Sequence, residues 1–144
     1  EGRGNISKIN IKNKSFFLID ETYNSNPLSL SSAISNFSGL KVKTNKKHFL
    51  IGDMLELGKH SKRLHKSISL VLNKSKISKI HIYGKHVAET FKYIKKRIKG
   101  RILKKESDIF DMIVTDLKKN DYLMIKGSNS TGLNKIVGNL KGNI

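Results

Sequence analysis

Cysteine is absent and proline occurs once in this chain of 144 residues. Without thiols there is no disulfide framework, no thiolate zinc site and no cysteine nucleophile. Acidic side chains are scarce: 11 Asp and Glu face 29 Lys and Arg, a formal net charge of +18. Apolar runs are short. None approaches the roughly 20 residues that span a bilayer, and no charged-then-apolar signal segment opens the chain. These absences point to one soluble intracellular domain, because a chain of this length buries roughly 70% of its unfolded surface around a single core.

The positive surplus raises the question of a polyanionic partner. Arginine is the better bidentate reader of phosphate and guanine, yet only Arg3, Arg63, Arg97 and Arg101 are present. The lysines scatter along the whole chain in nothing longer than pairs such as Lys46-Lys47 and Lys118-Lys119. Lys, Ile and Asn together make up 56 residues, a bias that an AT-rich genome produces without selection for binding. A basic nucleic-acid-binding α/β module therefore stands only as the alternative. Neither a nucleic acid nor a membrane is expected as a partner.

Near-continuous apolar segments at 16–19, 49–51, 80–83 and 122–125, with a weaker one at 101–103, predict strands buried on both faces, as in a parallel sheet. Between them run helical stripes: Leu30, Ala33, Ile34, Phe37; Leu64, Ile68, Val71, Leu72; Val87, Phe91, Ile94, Ile98; Phe110, Ile113, Val114, Leu117; and Leu133, Ile136, Val137, Leu140. Asn26 before Pro27 predicts a helix start, and Ser107 before Asp108 another. Ile6, Ile9 and Ile11 among polar residues, followed by Lys12-Asn13-Lys14, predict an edge strand that turns back into the first apolar run. The expected architecture is an open α/β sheet of about six strands, five parallel and one antiparallel edge strand, with about five helices, in a single domain over 1–144.

Ligands of open α/β sheets bind beyond the carboxyl ends of the strands, and here those ends are chemically loaded. The run at 16–19 leads into Asp-Glu-Thr-Tyr-Asn-Ser-Asn-Pro at 20–27, and that at 49–51 into Gly-Asp-Met-Leu-Glu-Leu-Gly at 52–58. The last leads into Lys126-Gly127-Ser128. Each has a plain structural alternative. Asp20 and Glu21 either solvate a loop or serve a ligand, and Asn24 and Asn26 are turn and cap residues or ligand contacts. Gly127 and Gly132 have phosphate-loop spacing, but Leu133-Asn134 follow where Lys-Ser/Thr is required, so this is no triphosphatase loop. A dinucleotide fingerprint is excluded too, because Asp20-Glu21-Thr22-Tyr23 stands where its glycines belong. The five histidines, at 48, 60, 65, 81 and 86, form no His-x-x-x-His pair, and no metal site is expected. Spacing alone defines no Ser/His/Asp order.

Together, Gly2-Arg3-Gly4, Leu-Ile-Asp-Glu-Thr-Tyr-Asn-Ser-Asn-Pro at 18–27, Gly-Asp-Met-Leu-Glu-Leu-Gly at 52–58, His65 seven residues on, and Lys126-Gly127-Ser128 resemble the C-terminal domain of the Mur ligases. The pattern is closest to the branch that adds D-Ala-D-Ala to UDP-MurNAc-tripeptide. The resemblance implies a Rossmann-like sheet and a role in a cytoplasmic, ATP-dependent ligation of peptidoglycan synthesis. It also implies that the UDP-binding and ATP-binding domains, with the phosphate loop and the Mg2+ ligands, lie outside this chain, which alone would be inactive. No catalytic residue is expected within it. Arg3 would contact ATP near the ribose and phosphates, with Glu21, or Asp20 instead, accepting from the ribose hydroxyls. Asn24, Asn26, Lys126 and Ser128 would orient D-Ala-D-Ala, whose carboxylate wants a cation and polar donors. Lys126 has the alternative of pairing with Asp53 or Glu56. Asp53, Glu56 and His65 would support loops or meet a neighbouring domain. The whole enzyme is expected to be a monomer.

Overall fold

The computed structural model describes residues 2–142. Six strands form one sheet: β1 (Asn5–Ile11), β2 (Lys14–Glu21), β3 (Lys47–Gly52), β4 (Lys79–Tyr83), β5 (Lys99–Leu103) and β6 (Tyr122–Lys126), in the order β1-β2-β6-β3-β4-β5. β1 pairs antiparallel with β2, and every other pairing is parallel. The hairpin between β1 and β2 turns on Lys12 and Asn13, both left-handed, as a two-residue connection of matching twist requires. The expected edge strand and five parallel strands are therefore present.

Five helices cover the sheet: α1 (Pro27–Gly39), α2 (Ser61–Asn73), α3 (Ala88–Tyr93), α4 (Glu106–Asp116) and α5 (Leu133–Lys141). Side chains alternate across the strands and divide the core in two. Phe49, Ile51, Ile80, Ile82 and Met124 pack on one face with Leu30, Ile34 and Phe37 of α1 and Ile68 and Leu72 of α2. Leu50, Leu123 and Ile125 pack on the other with Ile109, Met112 and Ile113 of α4 and Leu133, Ile136 and Val137 of α5. Strands sandwiched in this way need apolar side chains at successive positions, which accounts for the unbroken runs.

Three local expectations are corrected. The stripe through Ile94 and Ile98 predicts one long helix, but α3 stops at Tyr93 and Ile94 is extended. Asn73 of α2 takes over the helix end: its Nδ2 donates to the Tyr93 carbonyl at 3.1 Å and its Oδ1 accepts from the Lys95 N–H at 2.8 Å. Ile94 and Ile98 are still buried, as ordered loop and single 3-10 turn. Ser107 does not cap α4, because it lies inside the first turn. Asp108 instead accepts the N–H groups of Lys104 and Lys105 at 2.8 and 3.1 Å. The buried face of α4 is Ile109, Met112 and Ile113, rotated by one residue from the expected stripe, with Phe110 and Val114 half-buried.

This topology positions the site. The helix that follows β6, α5, lies on one face, whereas α1 and α2, which follow the flanking strands β2 and β3, lie on the other. The chain thus diverges beyond the carboxyl end of β6, the kind of crevice where open sheets take ligands.

Candidate functional site

At this crevice three loops are bonded into one unit. β2 and β6 run in register, so that Glu21 stands opposite Lys126. Lys126 is only 3% exposed, and its ammonium donates to the Asn24 carbonyl at 2.6 Å. Burial pushes its pKa down, while the Glu21 carboxylate opposes that shift. Glu21 is itself pushed up by burial, an effect that the Lys126 charge counters. Lys126 therefore joins the loop after β2 rather than pairing with Asp53 or Glu56.

Ser128 adds a second clasp. Its hydroxyl accepts the Leu55 N–H at 3.0 Å and donates to the Ser25 carbonyl at 3.3 Å, while its own N–H donates to the Asp53 carbonyl at 3.2 Å. Gly52 and Gly127 let the ends of β3 and β6 close up. A Cβ at Gly127 would come within 2.7 Å of the Leu133 side chain and 3.3 Å of the Gly52 Cα.

Asp20 is almost fully committed inside the fold. Oδ1 accepts from the Thr22 hydroxyl at 2.6 Å and the Thr22 N–H at 3.0 Å, and Oδ2 lies 3.1 Å from the Lys141 ammonium. Burial acts to raise its pKa, but the Thr22 bonds and Lys141 outweigh it and hold the carboxyl below the usual range. Thr22 and Lys141 were not singled out from the sequence. For Thr22 a signal existed, since an Asp whose side chain bonds two residues onward is a common turn device. Beside this turn, a cleft of about 230 Å³ is lined by Gly2, Asp20, Thr22, Tyr23, Asn129 and Asn134. At its edge the Arg3 guanidinium stacks 4.1 Å above the Tyr23 ring, and the Tyr23 N–H donates to the Gly2 carbonyl at 3.1 Å. Gly4 is left-handed and lies against Glu21, so Arg3, Asp20, Glu21 and Tyr23 form one group.

The remaining expected residues divide clearly. Asn26 caps α1: its Oδ1 accepts the Ser29 N–H at 2.8 Å, and the Ser29 hydroxyl accepts the Asn26 N–H at 3.0 Å. Asn24 is exposed, with its carbonyl engaged by Lys126. Asp53 accepts the Val87 N–H at 2.8 Å and so ties the loop after β4 to β3. Buried His65 accepts the Met54 N–H at Nε2, 3.0 Å, and donates from Nδ1 to the Ser61 carbonyl at 2.8 Å. Burial pushes its pKa down, as these bonds of a neutral ring require. Glu56 is exposed on a left-handed backbone. Asp53 and His65 thus brace loops, while Tyr23 lines the cleft with Arg3 stacked on its ring, and Glu21 and exposed Asn24 lie at the end of β2 and in the loop after it.

No helix among the described residues is long and apolar enough to cross a membrane. Residues 8–129 match the family model described as Mur ligase, glutamate ligase domain. Similar curated proteins carry the name UDP-N-acetylmuramoyl-tripeptide–D-alanyl-D-alanine ligase. That of Rickettsia prowazekii is 29% identical over 95% of this chain and 29% of its own length. The Bacillus subtilis protein is 31% identical over 85% and 27%, and that of Buchnera aphidicola subsp. Acyrthosiphon pisum 37% over 85% and 26%. The chain therefore spans under a third of the length of these relatives. Among solved structures, MurF ligase from Thermotoga maritima in complex with ADP has the same fold, with a TM-score of 0.76 and 22% identity over 99% of this chain and 31% of that one. With the family pattern running through β1 to β6 and the loops that form the crevice, this chain belongs to the Mur ligase family as its glutamate ligase domain.

Proposed function

We propose that this chain serves as the C-terminal domain of an ATP-dependent ligase that joins D-Ala-D-Ala to UDP-MurNAc-tripeptide in the cytoplasm, working as a monomer. The observation that carries the reading is the crevice beyond β6, where the loops of a Mur ligase domain are bonded together by Lys126 and Ser128. The relatives' shared name supports the choice of substrates.

In this proposal the γ-phosphoryl group of ATP passes to the tripeptide carboxylate and ADP leaves. The D-Ala-D-Ala amine then attacks the acyl phosphate, loses a proton and expels phosphate. The domain contributes orientation and the exclusion of water, which would otherwise hydrolyse the acyl phosphate. Arg3 and Tyr23 border the cleft taken as the nucleotide side. Glu21 accepts from the ribose hydroxyls, because Asp20 has both oxygens engaged. Asn24 faces the dipeptide, and Lys126 and Ser128 fix the loop that presents it. Asn26 serves the same loop as the cap of α1.

Mg2+ is assigned no ligand in this chain. Among the described residues no three His, Asp or Glu side chains converge, and its ligands are assigned to the ATP-binding domain that the proposal places outside this chain. A chimera tests the reading. Fused to the preceding domains of the Bacillus subtilis relative, the chain should support ADP release that requires both UDP-MurNAc-tripeptide and D-Ala-D-Ala, and alone it should release none. Turnover with a free amino acid in place of D-Ala-D-Ala would move the chain to another branch of the family.

A further inference from the structure

Across the entries to β6, β3, β4 and β5 runs one row of polar groups: Asp121, His48, His81 and the Arg101 N–H. His48 of β3 and His81 of β4 are 3% and 1% exposed, their rings are parallel to within 5°, and His48 Nδ1 lies 3.0 Å from His81 Nε2. The Arg101 N–H donates to His81 Nδ1 at 2.9 Å, so that nitrogen carries no proton and His81 is protonated at Nε2. The Nε2–H is given to His48 Nδ1, which leaves the His48 proton on Nε2. There it faces the Asp121 carboxylate at 3.7 Å, beyond hydrogen-bonding distance. Two neutral rings fit this row, and burial favours both neutral forms.

The edge strand β5 depends on the row. Ile80 pairs with Lys99 and Ile82 with Ile102, so Gly100 and Arg101 together occupy the stretch opposite His81. The ladder is irregular at this bulge, and the His81 ring supplies an acceptor for the Arg101 N–H. Gly100 makes room, because a Cβ there would run into the His81 ring. No strand pairs with the outer side of β5 among the described residues.

A third proton has no place in the row. Added to His48 Nδ1, it meets the His81 Nε2–H head on. Added to His81 Nδ1, it meets the Arg101 N–H. Moving the His81 proton from Nε2 to Nδ1 relieves the first conflict and creates the second. Every arrangement with three protons therefore sets two donors against each other inside the core. The surrounding charges decide which contact gives way. Asp121 and Asp116 favour a positive His48, with Lys46 and Lys79 opposing them. His81 is favoured only by Asp116, whose carboxylate Arg101 already holds through two bonds of 2.7 Å, and is opposed by Arg101 and Lys79. Lys99 and Lys118 line the same cleft. His48 is the better seat for the charge.

We propose that the histidine pair is an acid-operated latch on β5: the incoming proton settles on His48 Nδ1, the His81 proton moves from Nε2 to Nδ1, and the Arg101 N–H loses its acceptor, so that the middle of the edge strand comes away from β4. The positive His48 then faces Asp121, and the three protons sit on both His48 nitrogens and on His81 Nδ1. Opening returns the rings to ordinary titration near pH 6.5, so below that value each proton taken favours the open strand by up to roughly tenfold per pH unit. The latch does not depend on the function proposed above.

The test is nuclear magnetic resonance of the 15N-labelled chain. At pH 7.5 the ring nitrogens should show His48 and His81 both protonated at Nε2. Amide exchange between pH 6.5 and 5, corrected for its intrinsic pH dependence, should show the opening of Gly100, Arg101 and Ile102 rising by up to roughly tenfold per pH unit for each histidine protonated. These amides should exchange faster than those of Leu123 and Ile125 in β6, with little response to dilute urea. His48→Gln keeps an acceptor toward His81 Nε2 but takes no proton, so it should reduce the rise at β5 over this range by about fivefold or more. An Nδ1 proton on either ring at pH 7.5, β5 exchange that rises only in step with β6, a rise that His48→Gln leaves unchanged, or no rise at all would overturn the proposal.

Discussion

Lys126 and Asn24 are 102 residues apart in the chain and meet at 2.6 Å, the buried ammonium donating to the loop's carbonyl. A lysine desolvated to this extent is held by what it bonds, and here the acceptor is main chain. The contact therefore fixes the path of the loop after β2 whatever side chain occupies position 24. The exposed amide of Asn24 remains available to a ligand.

Lys126→Met keeps the apolar stem and removes the donor. It should lower stability by about 1.5–3 kcal/mol, the range for hydrogen bonds to charged groups. Amide exchange at 22–26 should quicken. In the ligation-competent chimera KM for D-Ala-D-Ala should rise roughly tenfold, a loss of about 1.4 kcal/mol, with KM for ATP nearly unchanged. Unaltered loop exchange together with an unaltered D-Ala-D-Ala parameter would remove Lys126 from this role.

Asn26→Ala should behave differently. It deletes the acceptor for the Ser29 N–H at the start of α1 and should cost about 1 kcal/mol, read as a shift of the urea midpoint. Asn26→Asp should restore most of that, since Asp also caps. If Asn26→Asp keeps stability but loses dipeptide affinity in the chimera, the side chain touches substrate as well.

Acid should weaken the fold before the carboxylates titrate. Burial, with a smaller contribution from the neighbouring His48, pushes His81 down from 6.5 to about 3. His48 and His65 are lowered by burial too. Between those limits the unfolded chain binds more protons than the folded one, so stability is full above about pH 6.5 and falls as pH drops. The slope is at most about 1.4 kcal/mol per pH unit for each such histidine. Urea unfolding at pH 7.5, 6 and 5 should show the decline, and a flat profile would contradict the neutral histidine pair.

The basic surface should bind DNA only weakly and without sequence preference, with binding gone by moderate salt, because it consists of scattered lysines rather than an arginine-rich reading surface. Fluorescence anisotropy with two unrelated duplexes across a salt series checks this. Submicromolar, sequence-selective binding at physiological salt would revive the nucleic-acid reading.

Strands buried on both faces announce themselves, and the runs at 49–51 and 122–125 were legible for that reason. Their order was not, because nothing local in β6 records that it inserts between β2 and β3. The chemistry at the strand ends was also readable, since Asp20, Asn24 and Lys126 are polar residues directly after apolar ones. Their partners were less so. The Asn24 carbonyl is main chain and leaves no side-chain signal, and Lys141 reaches Asp20 from 121 residues away. The end of α3 was lost to periodicity because Ile94 and Ile98 are buried without being helical. His48 and His81, weighed in the sequence only as metal ligands and set aside for lack of a His-x-x-x-His pair, stand inside or beside unbroken apolar strands, where an imidazole needs a specific partner.

Residues 2 and 141 both end at the same turn: the Gly2 carbonyl accepts from Tyr23, and the Lys141 side chain reaches Asp20. The extremities of the described chain are therefore near neighbours. A short glycine-rich bridge could join them, and the exposed stretch between α1 and β3 offers a place to reopen the backbone. Such a circular permutant would keep every strand pairing while changing which segments are close in sequence. β6, now the last strand, would lead through α5 and the bridge into the β1–β2 hairpin, bringing β2 and β6 much closer in sequence, and the order in which the sheet assembles could be rewritten without altering its surface.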